Sequence, residues 1–469
     1  MDAVTQLGAS LIVMGLVLLA GRVIRIKVRP IQALFLPTSV VAGVLALLIG
    51  PQVLGALVER FVGETAWFAG GIIPQWVLDG WDPLPKLLIN VVFAGLLLGK
   101  TLPSAKAIWQ KSGPQVLFGY TLAFGQYALG FLLVLLVLGP VFGVDEKAGA
   151  LIEIAFTGGH GTAAGLEPTF IEVGYEEGRD LALGLATIGV VMGVILGTLF
   201  VNIAVRSDRI TIAREEPVEA EEDYDIDQLT RNDAPEPQQD DAAADPLTKH
   251  LALIGVAIAL GWLLKQGLVL LERFTWGAWA DTTLMELIPL FPLAMIGGVI
   301  LQGAMVWAGH EGLIQRDIIN RIGGAALDII IVAAMATISL EALGANLPAF
   351  LILGAAGIAW CVAAFWLLAP RMLPYRWFER GIGDMGQSSG MAVTGLLLIR
   401  VSDPRNQTGA IESFGYKQLL FEPLVGGGLF TALSVPLTAR FGAPIMLLVS
   451  GAVTLAALIT GMVMARRIS

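Results

Sequence analysis

The sequence predicts an all-α polytopic membrane protein: two inverted five-helix repeats, each with a re-entrant hairpin, and an additional C-terminal helix. Three observations carry this. The 469 residues are 56% hydrophobic and only 14% charged, with a mean hydropathy of +0.76, which lies outside the soluble range. The apolar residues fall into runs of about 20, the length that crosses a hydrocarbon core of ~30 Å. Finally, Gly-x-x-Gly-x-x-x-Gly occurs twice, at Gly158, Gly161, Gly165 and at Gly383, Gly386, Gly390, a constant offset of 225.

Taken in order, eleven spans are expected near 6–24, 33–50, 84–102, 114–139, 180–205, 248–270, 285–308, 324–343, 347–369, 413–437 and 443–465. The first run is followed by RVIRIKVRP and no small-residue cleavage site, so it reads as a retained helix. With the N-terminus outside, 22 Lys and Arg fall on the cytoplasmic side and 7 outside, the sense that membrane insertion favours. The C-terminus then lies in the cytoplasm. The formal charge of −10 belongs to one segment: residues 207–247 hold fourteen Asp and Glu against three Arg. Rich in Pro, Gln and acid and poor in large apolar residues, that segment reads as a disordered cytoplasmic linker. No nucleic-acid partner is expected. The chain has one cysteine, Cys361, inside an apolar run, which excludes an intrachain disulfide and leaves packing as its role.

Two glycine-rich segments do not fit as spans: 148–172 and 379–401. In the expected topology the first enters from outside and the second from the cytoplasm. The expected units are therefore 1–206, the linker 207–247, 248–440, and 441–469 for the extra helix. LPTSVVAGV, with Pro37 and Gly43, parallels FPLAMIGGV, with Pro292 and Gly298. Five spans per half, an odd number, forces the second half to be inverted, the plan by which secondary transporters build two gates around a midplane site. Broken backbone is tolerated in lipid only where protein or a water-filled cavity satisfies it. Glycine lets such backbone turn and approach a ligand, so TGGHGTAAG, residues 157–165, reads as a ligand cradle, its free N–H groups suited to an anion and its free carbonyls to a small cation.

The run TGGHGTAAGLEPTFIE followed by LALGLATIGVVMGVILGT resembles the signature stretch of the bacterial sodium/glutamate symporters, and PLPKLLINVVFAGLLLGKTLPS is similar to one of their earlier helices. The resemblance implies a homodimer in the cytoplasmic membrane and sodium-driven uptake of glutamate, with a transport domain moving against a dimer scaffold. Carried over by position, Thr157, Gly158, Gly159, His160, Gly161 and Thr162 form the first hairpin tip and Gly383 to Ser389 the second, so that Gly383, Met385, Gly386 and Gln387 join the substrate contacts. The second tip departs from the family pattern: it reads GDMGQSSG, with Asp384 close to where the family has a histidine. Asp384, Ser388, Ser389 and Asp328 are the candidate sodium ligands; no other metal is implied. Arg400 lies at the cytoplasmic edge, where positive-inside anchoring explains it, and local pairing or a position near the interface accounts for Glu153 and Glu422. An anionic Asp384 would repel a carboxylate, so a symporter of other di- or tricarboxylates is the alternative. An ion channel is a remoter reading, because opposed hairpins suit alternating access better than a continuous pore. Gly381, Ile382, Gly383 and Asp384 also resemble the GxGD motif of intramembrane proteases, but the only Tyr-Asp pair, Tyr224 and Asp225, sits in the linker, and an enzyme is not expected.

Overall fold

A computed structural model describes residues 3–468 except 35, 64, 101–104, 208–245, 276–284, 287 and 405. The linker expectation therefore lies almost wholly outside the described residues. Those described form helices and connecting turns, and nine of their helical stretches are long and apolar enough to cross a membrane.

The first half runs α1 (Ala3–Lys27), α2 (Thr38–Ile49), α3 (Gln75–Trp81), α4 (Leu84–Gly95), α5 (Ala105–Leu133), the short helices α6 (Leu151–Phe156), α7 (Gly159–Gly165) and α8 (Glu167–Glu172), then α9 (Glu177–Arg206). The second half runs α10 (Pro246–Phe274), α11 (Leu290–Trp307), α12 (Arg316–Ala336), α13 (Leu340–Ala345), α14 (Leu347–Ala363), α15 (Trp377–Ser402), α16 (Ala410–Phe421) and α17 (Leu429–Ile468). Prolines 37, 74, 83 and 289 stand immediately before α2, α3, α4 and α11, where a missing N–H costs nothing.

Details recur between the halves. Gly21 of α1 seats against Ala42 of α2, and Gly261 of α10 seats against Ala294 of α11; lacking a Cβ, each lets two backbones close up. A wide π turn at Val134–Leu138 extends α5 into Gly139 and Pro140, and another at Ala364–Leu368 extends α14 into Ala369 and Pro370. The clamps across halves are reciprocal. Gln52, just beyond α2, donates to Ile338 O (2.8 Å) and accepts from Leu340 N (3.0 Å), while Gln302 of α11 accepts from Gly99 N (2.8 Å). Each glutamine holds the turn that ends a helix of the opposite half.

The helices gather into two groups. In one, α1 packs on α2 and α3, α12 on α2 and α4, and α11 on α10 and α4. In the other, α5 packs on α17, α16 and α14, and α9 on α15, α6 and α14. The short α7 touches both, packing on α9 as well as on α4 and α12. Large apolar side chains such as Ile12, Leu16, Leu448 and Ile459 are exposed on the outside, as lipid contact requires. With lipid as apolar as the core, helix association rests on close packing and internal hydrogen bonds rather than on water exclusion.

Two expected spans are corrected. Among the described residues of 84–102 only the twelve-residue α4 is helical, and the carbonyls at and just beyond its end are claimed by Arg316: its Nη1 donates to Leu98 O (2.7 Å) and to Gly95 O, and its Nη2 to Leu96 O (3.1 Å). A donor that satisfies free carbonyls lets the helix stop inside the protein. The stretch 413–437 is likewise no single helix, because the chain unwinds between Phe421 and Leu429, across Pro423 and three consecutive glycines. The extra C-terminal helix is present as the second arm of α17, beyond a bend at Gly442 (φ 79°, ψ 160°). It returns along α5, with Met464 beside Gly113 and Gly461 beside Leu117. Its first turn is capped by Glu146, whose Oε2 accepts from Ala443 N at 2.7 Å, a carboxylate at the positive end of a helix.

Candidate functional site

Three breaks in the helices meet at one place. Between α6 and α7 the helix is interrupted at Thr157 and Gly158, and Gly159 opens α7 with φ 77°. Inside α15, Gly390 (φ −153°, ψ 41°) and Met391 (φ 70°, ψ 170°) leave helical geometry. Beyond them the chain doubles back: a Cβ on Gly386 would lie 2.8 Å from Gly395 Cα, and Gly383 lies against Ile399, contacts that a straight helix cannot make across nine and more residues. The third break is the glycine triplet 426–428, with φ 74° at Gly426 and 104° at Gly427.

The Met391 side chain sits on Gly159, so the first two breaks touch. Thr157 and Thr162 face the third: a Cβ on Gly426 would meet Thr157 Cγ2 at 3.4 Å, and one on Gly427 would meet Thr162 Oγ1 at 2.7 Å. A side chain at 159 or 427 would combine left-handed backbone with a clash, and at 426 the left-handed backbone alone disfavours one.

Polar side chains tie the breaks together. Gln126 of α5 accepts from Thr157 Oγ1 (2.8 Å) and donates to the Ser388 carbonyl (2.5 Å). Cys361 Sγ also donates to that carbonyl, at 3.2 Å, so the thiol that sequence assigns to packing is buried and bonded as well. Glu153 of α6 is fully buried. Its Oε1 accepts from Gly426 N (2.7 Å) and Thr431 Oγ1 (3.1 Å), and its Oε2 accepts from Tyr127 OH. A buried carboxylate is costly unless so bonded, and here it also faces the N-terminal end of α17. Its pairing is therefore real but long-range in sequence rather than local.

The other predicted residues divide. His160 turns toward α9, Nε2 standing 3.0 Å from Thr187 Oγ1, while its buried Nδ1 has no hydrogen-bond partner among the described residues. Gly161 packs on Leu327 of α12, and Gly158 lies against its own helix at Ile154 O. Gly383 and Gly386 serve the close approach of the two arms of α15 rather than opening room at its tip. Met385 faces Met192, Ile358 and Cys361 in an apolar niche shared with Ser389, whose hydroxyl donates back to Met385 O at 2.8 Å. Ser388 is buried beside it. Asp328 differs from all of these, being exposed on α12 next to Leu327.

Asp384 is fully buried and ion-paired: Lys417 Nζ of α16 lies 2.6 Å from its Oδ1 and also donates to Gln387 Oε1 at 2.5 Å. The sequence gives Asp384 no partner, because Lys417 falls inside the expected span 413–437 and among the basic residues placed at its cytoplasmic end. Tyr127, Gln126, Thr431 and the 426–428 break were missed for the same reason. The signal for the break is visible, since Glu422 and Pro423, followed by the glycines 426–428, interrupt that run.

A second bridge joins the two helix groups at the α7–α8 side. Arg179 of α9 pairs with Glu167 of α8 (2.9 Å), lies 3.8 Å from Asp82 between α3 and α4, and donates to Thr337 Oγ1 at the end of α12 (2.5 Å). Beside it, between α4, α8, α10 and α11, lies a cleft lined by Lys86, Asn90, Thr169, Glu172, Lys265 and Glu286.

The family model described as sodium/glutamate symporter matches residues 89–368, more than half of the chain. This stretch contains the first break and ends before the second. No curated protein matches the chain.

Proposed function

The chain belongs to the sodium/glutamate symporter family, and on that premise we propose that this multi-pass membrane transporter carries glutamate, or a closely similar acidic amino acid, inward with sodium by alternating access. The observation that carries the reading is the meeting of three broken helices at Gly159, Met391 and Gly426. Unwound backbone at membrane depth is expensive unless it serves a cavity or a ligand, and broken half-helices are how transporters present N–H groups to anions and carbonyls to cations.

The fold class follows the same argument. Repeated Gly–Ala seats, repeated π turns and reciprocal glutamine clamps support two repeats related by inversion, with 148–172 and 379–401 as re-entrant hairpins entering from outside and inside. The group containing α1, α2, α4, α10, α11 and α12 would be the scaffold and homodimer interface in the cytoplasmic membrane. The group containing both hairpins would be the part that moves. Substrate contacts are proposed at Thr157, Gly158, Gly159 and Thr162, and sodium ligands at the Ser388 and Ser389 oxygens and the free carbonyls of the breaks; Gln387 is set aside because Lys417 and Gln418 engage its amide. Asp384 is set aside as a sodium ligand because Lys417 holds it.

Counterflow in proteoliposomes tests the substrate. Labelled glutamate should exchange against unlabelled glutamate or aspartate and not against citrate or succinate. Exchange with the di- or tricarboxylates alone would replace glutamate with that class.

A further inference from the structure

Lys417 is the most completely enclosed cation of the described chain, and its surroundings are those of an ion site. Its ammonium meets Asp384 Oδ1 at 2.6 Å and Gln387 Oε1 at 2.5 Å, and it lies over the rings of Phe421 at 4.3 Å and Phe414 at 4.9 Å. Oxygen donors on one side and π faces on the other are the groups that bind a bare monovalent cation. More donors stand by than the ammonium uses. The buried Asp384 Oδ2 makes no bond to the ammonium, and the buried amide of Gln115 stands beside Asp384 as its nearest further polar neighbour.

Stability alone does not account for the cluster. Removing two charges from water costs about as much as their attraction returns, and apolar pairs of similar volume often do as well or better. The position is informative. Asp384 and Gln387 lie one turn apart on the hairpin arm that continues to Ser388 and to the break at Gly390, while Lys417 lies on the helix that unwinds at 422–428. Gln387 also donates to Gln418 Oε1 at 3.1 Å. A positive charge here joins the second break to the third.

We propose that Lys417 is a tethered cation: its Nζ fills a monovalent-cation site formed by Asp384 and Gln387, so this site takes no ion from solution and contributes none to the transport cycle. The last clause rests on the symporter reading; the site itself does not. Truncating the side chain by Lys417→Ala should uncover the site. The variant should become sensitive to small monovalent cations, while Asp384→Asn/Lys417→Met, neutral and nearly isosteric, should not.

The test is the thermal midpoint of detergent-purified protein in NaCl, KCl, NH4Cl and choline chloride. Lys417→Ala should show a saturating upward shift with at least one of the small cations, absent in choline and beyond any shift of the unsubstituted protein. The double variant should match the unsubstituted protein. If Lys417→Ala folds only when a small cation is present during extraction, the proposal is likewise supported. Equal response of all three proteins, or a Lys417→Ala protein lost regardless of cation, overturns it. The sodium response of the unsubstituted protein is read separately, so failure of sodium coupling and failure of the tethered-cation site give different patterns.

Discussion

Met391 rests on Gly159, and both residues hold left-handed backbone, φ 70° and 77°. Two helix breaks 232 positions apart in the chain thus meet tip to tip. The contact leaves no room for a Cβ on Gly159, and the conformation itself costs an L-residue about 1–2 kcal/mol.

Gly159→Ala should therefore leave membrane insertion intact and reduce uptake by at least tenfold. Met391→Ala, which creates space, should reduce it less. Insertion is read from the size-exclusion profile of detergent extracts and activity from initial uptake rates. Equal activity of Gly159→Ala and the unsubstituted protein would show that the tips do not form part of the transport path.

Glu153→Gln keeps the shape of the buried carboxylate and removes its charge. Three donors converge on it, and hydrogen bonds to a charged group contribute ~1.5–3 kcal/mol each. The glutamine variant should unfold at a lower temperature by several degrees and transport poorly, whereas Tyr127→Phe, which removes one donor, should have a smaller effect on both. Differential scanning fluorimetry and uptake together check the order.

Arg179 fastens α8 and α9 to the turn before α4 and to the end of α12. If the helix groups move past one another, its bonds to Asp82 and Thr337 must break while that to Glu167 survives within the moving group. A cysteine placed at Thr169, in a Cys361→Ser background, should react several-fold faster with an impermeant maleimide once Arg179→Ala is added. An unchanged rate would remove Arg179 as a gate contact.

Much of this architecture could be read in the chain. The apolar runs of α1, α5, α9 and α14 follow from bilayer thickness, and the 225-residue glycine offset marks both segments in which a helix breaks, at Gly158 and at Gly390. Lys417 and Glu153 show where that reading stops. Hydropathy averages over about 20 residues, so one lysine and three glycines inside an apolar run vanish, although they mark a broken helix. The partners of Glu153 lie 26, 273 and 278 positions away, and no local pattern encodes such pairings. The motif glycines were legible, but most of them serve helix packing; only the backbone angles single out Gly159 as the tip.

The proposed topology rests on charge placement. Reporter fusions should place the loops near Asp79, Asp145, Ala278 and Gly344 outside and the segment 207–247 inside. The Ala278 site lies outside the described residues, so its assignment rests on sequence. A segment 207–247 accessible from outside would contradict inversion of the second half.

Glutamate carries one net negative charge, so an interior potential of about −100 mV opposes its entry by ~2.3 kcal/mol, roughly fifty-fold in concentration. One sodium ion cancels that charge; only two or more let the potential drive uptake. The decisive measurement is glutamate uptake into proteoliposomes under an inward sodium gradient, with and without a negative interior set by a potassium diffusion potential. Symport with at least two cations predicts uptake that requires sodium and rises when the interior is made negative. Uptake that proceeds unchanged without sodium or any other cation gradient would contradict it.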